Sequence, residues 1–298
     1  MEEFDLTAHP FLPLYGDSEI PLQNELYEKH KPLYSTDFKG GQPENKPYIM
    51  PFEIAEPRFL ALIFPGGGYF ACSNGAAVKI AEALNSRGAT AFVLNYRVGN
   101  NEDPERGYNC RAILQDGVRA VQFVRNYADE HGLSDRKVIV FGFSAGGHLA
   151  VSLTLGAKEF DTLSDPVSRL DHIPDALVLG YPCTTLLEGA YPLLPRIFPA
   201  HEPENERARL LDEYSAPFHA ASRKTPAFIW YGTDDRAVPP EFNAIPYAEA
   251  LKKSGAECEL VSYEGVGHGV GLALGTAAEG WLDRADEWLS AKVYKNPK

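Results

Sequence analysis

The chain has 298 residues, 44% of them hydrophobic and 23% charged, which supplies a core of ordinary size and excludes a fibrous or disordered chain. Its formal net charge is −13 and its pI about 5.1, so phosphate backbones and anionic lipid surfaces are repelled. Nucleic acid and membranes are therefore not expected partners, and a neutral substrate fits better than a polyanion.

Residues 1–47 are rich in Pro, Asp and Glu with scattered aromatics. They read as an extended N-terminal segment, with room for one strand, laid over the main domain. The opening Met1-Glu2-Glu3-Phe4-Asp5 lacks the basic stretch and apolar run of a secretory signal, so a cytoplasmic location is expected. No apolar run approaches the roughly 18–20 residues that span a bilayer.

From residue 48 onward, short apolar runs rich in β-branched and aromatic residues alternate with helical patterns. Strands are predicted at Tyr48–Ile54 (the weakest signal), Phe59–Phe64, Thr90–Asn95, Lys137–Phe143, Ala176–Tyr181, Pro226–Tyr231 and Glu259–Glu264. Helices are predicted at Ala76–Arg87, Arg111–His131, Ala145–Leu155, Glu241–Ser254 and Thr276–Lys292. In the second of these, Ile113, Val118, Val121 and Val124 mark an apolar stripe. The alternation predicts an α/β fold: a single domain over 1–298 with a mostly parallel central sheet and helices on both faces. The stretch 183–222 breaks the rhythm. It is long and Pro-rich, and reads as a small lid insertion over the top of the sheet. Cys72, Cys110, Cys183 and Cys258 lie far apart with no CxxC or metal-type spacing, so free thiols and no metal site are expected.

The chemistry is concentrated in three places. Residues 138–148 read Val-Ile-Val-Phe-Gly-Phe-Ser-Ala-Gly-Gly-His, a G-x-S-x-G between an apolar strand and a small-residue helix. A sharp strand-to-helix turn of this kind presents Ser144 as a nucleophile, with helix N–H groups beneath it to hold an oxyanion. Upstream, the strand ending Leu62-Ile63-Phe64-Pro65 runs into Gly66-Gly67-Gly68-Tyr69-Phe70. Glycines let backbone N–H groups approach a substrate oxygen, so Gly67, Gly68 and Ala145 are the candidate oxyanion-hole donors. A phosphate-binding loop would need Gly-Lys-Ser/Thr or G-x-G-x-x-G, and neither is present.

The base and acid should follow the nucleophile in chain order. His268 sits in Gly265-Val266-Gly267-His268-Gly269 after the last predicted strand, whereas His219 lies too early. The strand before it ends in Gly232-Thr233-Asp234-Asp235, two adjacent aspartates between which spacing does not choose. His148 reads as a core histidine, because Ser144 needs one base only.

These segments, with Asn95-Tyr96-Arg97-Val98, Gln115-Asp116 and Tyr181-Pro182, run in order from about residue 57 to 290. Together they resemble the α/β-hydrolase family, in its bacterial acetyl-esterase and lipase-like branch of carbohydrate acetyl esterases and feruloyl-esterase-like sugar hydrolases. Pro65 stands where the hormone-sensitive-lipase-like relatives carry histidine. The resemblance places the acid three residues before the Val of Asp-x-x-Val-Pro, which is Asp235. It implies a serine carboxylesterase with a Ser144–Asp235–His268 triad and no cofactor, acting on O-acetylated sugars such as xylo-oligosaccharides. A feruloyl or aryl esterase, an arylformamidase and a peptidase would use the same chemistry. Arg97 is expected to brace loops near the site, and Tyr69, Phe70, Tyr191 and Phe198 are candidates to stack on substrate.

Overall fold

A computed structural model of the chain describes residues 4–5, 10–16, 19–22, 38–39, 47–187, 189–219 and 224–294. Most of the expected N-terminal segment and residues 188 and 220–222 of the expected insertion lie outside the described residues.

Eight strands form the main sheet: β1 (Leu12–Pro13), β2 (Tyr48–Phe52), β3 (Phe59–Phe64), β4 (Ala89–Asn95), β5 (Val138–Phe143), β6 (Ala176–Gly180), β7 (Ala227–Gly232) and β8 (Cys258–Tyr263). Their order is β8-β7-β6-β5-β3-β4-β2-β1. Strands β3 to β8 pair in parallel, while β1 and β2 add antiparallel pairings at one edge. A separate short parallel pair joins Phe4–Asp5 to Phe38–Lys39.

Every residue of β3, β4 and β5 is buried, as expected of strands covered on both faces. Alternation divides them between two cores. Leu60, Leu62 and Phe64 face Ile113, Val118, Val121 and Leu149, contributed by α2 (Cys110–Glu130) and α3 (Ala145–Ser152). Phe59, Ala61 and Ile63 face Val78, Ile80, Trp281 and Leu289, contributed by α1 (Asn74–Asn85) and the C-terminal helix Trp281–Lys292. Burying a Leu or Phe side chain contributes about 1.5–3 kcal/mol, so this two-sided packing is what fixes the register of the sheet.

Two predicted helices start later than expected. The helix predicted from Glu241 begins at Ala244, after the Pro239-Pro240 turn, and the one predicted from Thr276 begins at Trp281. Gly275 and Gly280 adopt φ of +73° and +86°, and these left-handed residues keep the chain in turns until Trp281.

The described part of 183–222 carries three short helices, α4 (Leu194–Ile197), α5 (Glu204–Glu213) and α6 (Ala216–His219). The last helices of the chain are then α7 (Ala244–Ser254) and α8 (Trp281–Lys292). The segment is fastened to the domain by Cys110 N–H donating to Phe198 O (2.7 Å), Asn109 Nδ2 to Ala200 O (2.8 Å) and Thr184 N–H to Asn243 Oδ1 (3.0 Å).

Arg97 and Asp116 form a fully buried pair with Nη2–Oδ1 at 2.7 Å. Tyr15 O–H donates to the same carboxylate at 2.6 Å, and Arg97 Nη1 donates to the carbonyl of Pro21. Arg97, in the loop after β4, and Asp116, in α2, thus brace Tyr15 and Pro21 of the N-terminal segment against the domain. Among the described residues, no helix is long and apolar enough to cross a membrane.

Candidate active site

The order of strands places the crevice. The chain adds β4 on one side of β3 and then crosses to add β5 on the other, so the carboxyl ends of β3 and β5 flank a topological switch point. Residues 66–70 follow β3 and Ser144 follows β5.

Ser144 has φ 52° and ψ −121°, a strained conformation for a residue with a side chain. The turn is tight enough that a Cβ on Gly146 would lie 2.1 Å from Phe64 O, so only glycine allows α3 to start against β3. Ser144 Oγ is 2.8 Å from His268 Nε2, and His268 Nδ1 is 2.7 Å from Asp235 Oδ2. A carboxylate only accepts, so Nδ1 carries the proton and donates to Asp235. That leaves Nε2 with a lone pair to accept the Ser144 hydroxyl. The Asp235 side chain is 1% exposed, and its Oδ1 accepts from the N–H groups of Ala237 (3.1 Å) and Val238 (2.9 Å). Tyr181 packs edge-on against the His268 ring, with centroids 4.9 Å apart, and its hydroxyl accepts from Gly271 N–H at 3.2 Å. The ring is therefore held from the carboxylate side and from one face.

On the other side of Ser144 the 66–70 loop turns through left-handed backbone. Gly67 has φ +133°, and a Cβ there would lie 2.0 Å from Ala71 O. Among the described residues, the N–H groups of Gly67, Gly68 and Ala145 make no hydrogen bond within the protein. Ala145 is the first residue of α3, where such donors are left over by helix geometry.

A pocket of about 230 Å³ opens on Ser144 and His268. Its polar side is Gly66, Gly67 and Gly68; its apolar side is Ala76, Ala77, Ile80 and Phe143, and Phe70, Tyr181 and Tyr191 complete it. Tyr191, from the 183–222 segment, reaches over the glycine loop: a Cβ on Gly68 would lie 2.7 Å from its hydroxyl.

Of the four aromatics expected to meet substrate, the structure brings Phe70 and Tyr191 to the pocket. Tyr69 and Phe198 are corrected: both are fully buried, stacked on each other with centroids 6.0 Å apart behind the loop. The reason is the backbone. Tyr69 has φ +64°, which swings its side chain away from the pocket and into the core. His148 is a core histidine, with Nδ1 2.8 Å from Tyr69 Oη and Nε2 3.0 Å from Tyr214 O. Burial lowers its pKa from 6.5 to about 4, so the ring is neutral. His219 lies in α6, 3.4 Å from Asp212. Asp234 is exposed. Burial pushes all four free thiols up, Cys258 to about 11 and Cys72 to about 12, which keeps them protonated.

Sequence reasoning gave no site role to Ala76, Ala77, Ile80, Phe143 or Tyr181. The spacing of Ala76, Ala77 and Ile80 on one helix turn shortly after the glycine loop is a signal that could have found three of them.

Residues 61–272 match the model of a family described as alpha/beta hydrolase fold. Among solved structures, the chain is similar to an acetyl ester-xyloside bifunctional hydrolase from Caldicellulosiruptor lactoaceticus, with 31% identity, TM-score 0.74, and coverage of 95% of this chain and 96% of that one. It is 29% identical to the endo-1,4-beta-xylanase B of Butyrivibrio fibrisolvens, over 74% of this chain and 34% of that protein. It is also 29% identical to an acetylxylan esterase of Xylanibacter ruminicola, over 70% of this chain and 40% of that protein. The chain thus matches well under half the length of these two curated relatives.

Proposed function

This chain belongs to the α/β-hydrolase-fold family, and on that premise we propose that it is a serine carboxylesterase that removes acetyl groups from sugar hydroxyls, xylo-oligosaccharides being the first substrates to try. The observation that carries the reading is the hydrogen-bonded line Ser144–His268–Asp235, at 2.8 and 2.7 Å, facing unused N–H donors across one pocket.

In the proposed reaction, Ser144 Oγ attacks the ester carbonyl as its proton passes to His268 Nε2, while Asp235 holds the imidazole in the correct tautomer. The N–H groups of Gly67, Gly68 and Ala145 hold the developing oxyanion, and each such donor contributes about 3–4 kcal/mol to lowering the barrier. His268 then protonates the leaving alcohol. Water, activated by the same imidazole, attacks the acyl-enzyme and releases the acid.

Two observations support a short acyl group. The pocket is small, about 230 Å³, and Ala77, Ile80 and Phe143 close it with side chains that are themselves packed in the core. Names of relatives add acetyl esters and xylan-derived sugars as substrate classes. Phe70 and Tyr191 line the pocket, which supports their covering the sugar or an aromatic group and, through Tyr191, a partial-lid role for the 183–222 segment.

The test is release of acetate from acetylated xylo-oligosaccharides and hydrolysis of p-nitrophenyl acetate, butyrate, octanoate and a feruloyl ester, by wild type and Ser144→Ala. Acetate release by wild type alone supports the whole reading. A higher kcat/KM on octanoate sinks the acetyl assignment, and a higher one on the feruloyl ester moves the substrate to aromatic acids. Equal activity of Ser144→Ala would sink the nucleophile.

A further inference from the structure

The oxyanion-loop aromatic Tyr69 and the helix residue His148 take no part in the proposed chemistry, yet they form a buried chain that joins three elements around it. Tyr69 directly follows Gly68 and its side chain is fully buried in the core, whereas that of Phe70 is only partly buried. Its hydroxyl is 2.8 Å from Nδ1 of His148, on α3, four residues after the nucleophile. Nε2 of His148 is 3.0 Å from the carbonyl of Tyr214, in the 183–222 segment. The Tyr214 carbonyl only accepts, so Nε2 carries the ring proton and Nδ1 accepts from the Tyr69 hydroxyl. The direction of the chain is therefore fixed: Tyr69 O–H to His148 Nδ1, then His148 Nε2–H to Tyr214 O.

The backbone shows what this chain holds in place. Gly67, Gly68 and Tyr69 have φ of +133°, +60° and +64°, three consecutive residues of positive φ, the last with a Cβ. A residue other than glycine stays in that region only where its surroundings overdetermine it. The surroundings of Tyr69 are Tyr96 and His148, both edge-on, and Phe198, stacked, together with the bond from Gly99 N–H to Tyr69 O at 2.7 Å. Of these contacts, the edge-on ring contact with His148 runs to the helix that follows Ser144, and the hydroxyl bond to His148 Nδ1 is the one directional, polar link from Tyr69 to that helix.

We propose that Tyr69 and His148 are positioning residues: their hydrogen bond holds the 66–70 loop at a fixed distance from Ser144 and α3, so that the Gly67 and Gly68 N–H groups meet the oxyanion at the right place. This rests on the proposed role of those N–H groups. Neither residue touches substrate, and both act through the loop. Donors displaced by a fraction of an ångström still bind substrate but lose hold of the transition state, so the effect falls on kcat.

The experiment compares wild type with Tyr69→Phe, His148→Leu and His148→Gln. Tyr69→Phe keeps the ring and removes only the bond, and His148→Gln supplies an amide that can accept from Tyr69 and donate to Tyr214. Two readouts are taken: hydrogen exchange of the backbone amides in 66–71, and kcat and KM on p-nitrophenyl acetate. The expected result is faster exchange and kcat lowered by about 10- to 100-fold in Tyr69→Phe and His148→Leu. KM stays within about two-fold, and His148→Gln recovers most of both effects. Unchanged exchange in Tyr69→Phe overturns the tether, whatever the activity. Faster exchange with unchanged kcat overturns its role in catalysis. If exchange responds as expected but Ser144→Ala hydrolyses esters as well as wild type, the tether stands and the proposed hydrolytic function is what fails.

Discussion

Asp235 and Asp234 are adjacent in sequence and opposite in environment. The Asp235 carboxylate is buried, accepts two backbone N–H groups on Oδ1, and offers Oδ2 to the imidazole of His268. Asp234 is exposed, and its backbone N–H is spent on Val266 O at 3.0 Å. A carboxylate held by backbone donors keeps one orientation, which is what setting a histidine tautomer requires. Asp235→Asn presents an amide to the same ring and favours the wrong tautomer. Its kcat on p-nitrophenyl acetate is expected to fall by roughly 10³- to 10⁴-fold, while Asp234→Asn stays within about two-fold. Loss of turnover in Asp234→Asn alone would move the acid to that position. Sequence spacing left the two open because it counts residues along the chain, and the choice is made by which carboxylate the turn after β7 points inward. The same blindness explains Tyr69 and Phe198. An aromatic beside a glycine loop reads as a substrate platform, but a positive φ at Tyr69 sends the ring the other way.

Elements were easier to read than side-chain directions. Buried parallel strands declare themselves as short apolar runs, and β3 and β5 were predicted to within a residue at each end. The late starts of α7 and α8 follow from turn geometry at Asn243 and Gly280, which periodicity cannot sense. Arg97 and Asp116 belong to this scale because their bond locks the loop after β4 to α2 and carries Tyr15 with it. A buried ion pair adds little over a packed apolar pair, but breaking one side strands a charge in the core. Asp116→Asn is therefore expected to destabilise the fold by about 3–5 kcal/mol, read as a lowered urea midpoint with an unchanged slope. Tyr15→Phe removes one bond to the charged group and should cost less, about 1.5–3 kcal/mol. A midpoint unchanged in Asp116→Asn would mean that Arg97 finds other partners and that the pair does not fasten the N-terminal segment.

At the scale of the whole molecule, the parallel sheet was legible from alternation, but the order of its strands was not, because crossovers leave no mark in local pattern. That order creates the crevice, and it also buries α3 between the sheet and the 183–222 segment, His148 with it. A histidine in that position sets a pH limit on the entire fold. Its folded pKa is lowered to about 4 from 6.5 because burial disfavours the charged ring. The sign follows from which state binds the proton. Between about pH 6.5 and 4 the unfolded chain protonates this residue and the folded chain does not, so stability is full above 6.5 and declines as pH falls toward 4. A shift of this size corresponds to about 3 kcal/mol, lost by the time pH reaches the folded pKa. Carboxylates that titrate nearby contribute as well, so the measurement is a difference. Urea unfolding of wild type and His148→Gln at about pH 7 and about pH 4.5 should show the variant less stable at the higher pH yet losing less on acidification, by about 2–3 kcal/mol. Equal losses in the two proteins would mean that His148 is protonated in the folded state as readily as in the unfolded one. In that event the neutral ring, and with it the direction assigned to the Tyr69–His148–Tyr214 hydrogen bonds, would be wrong.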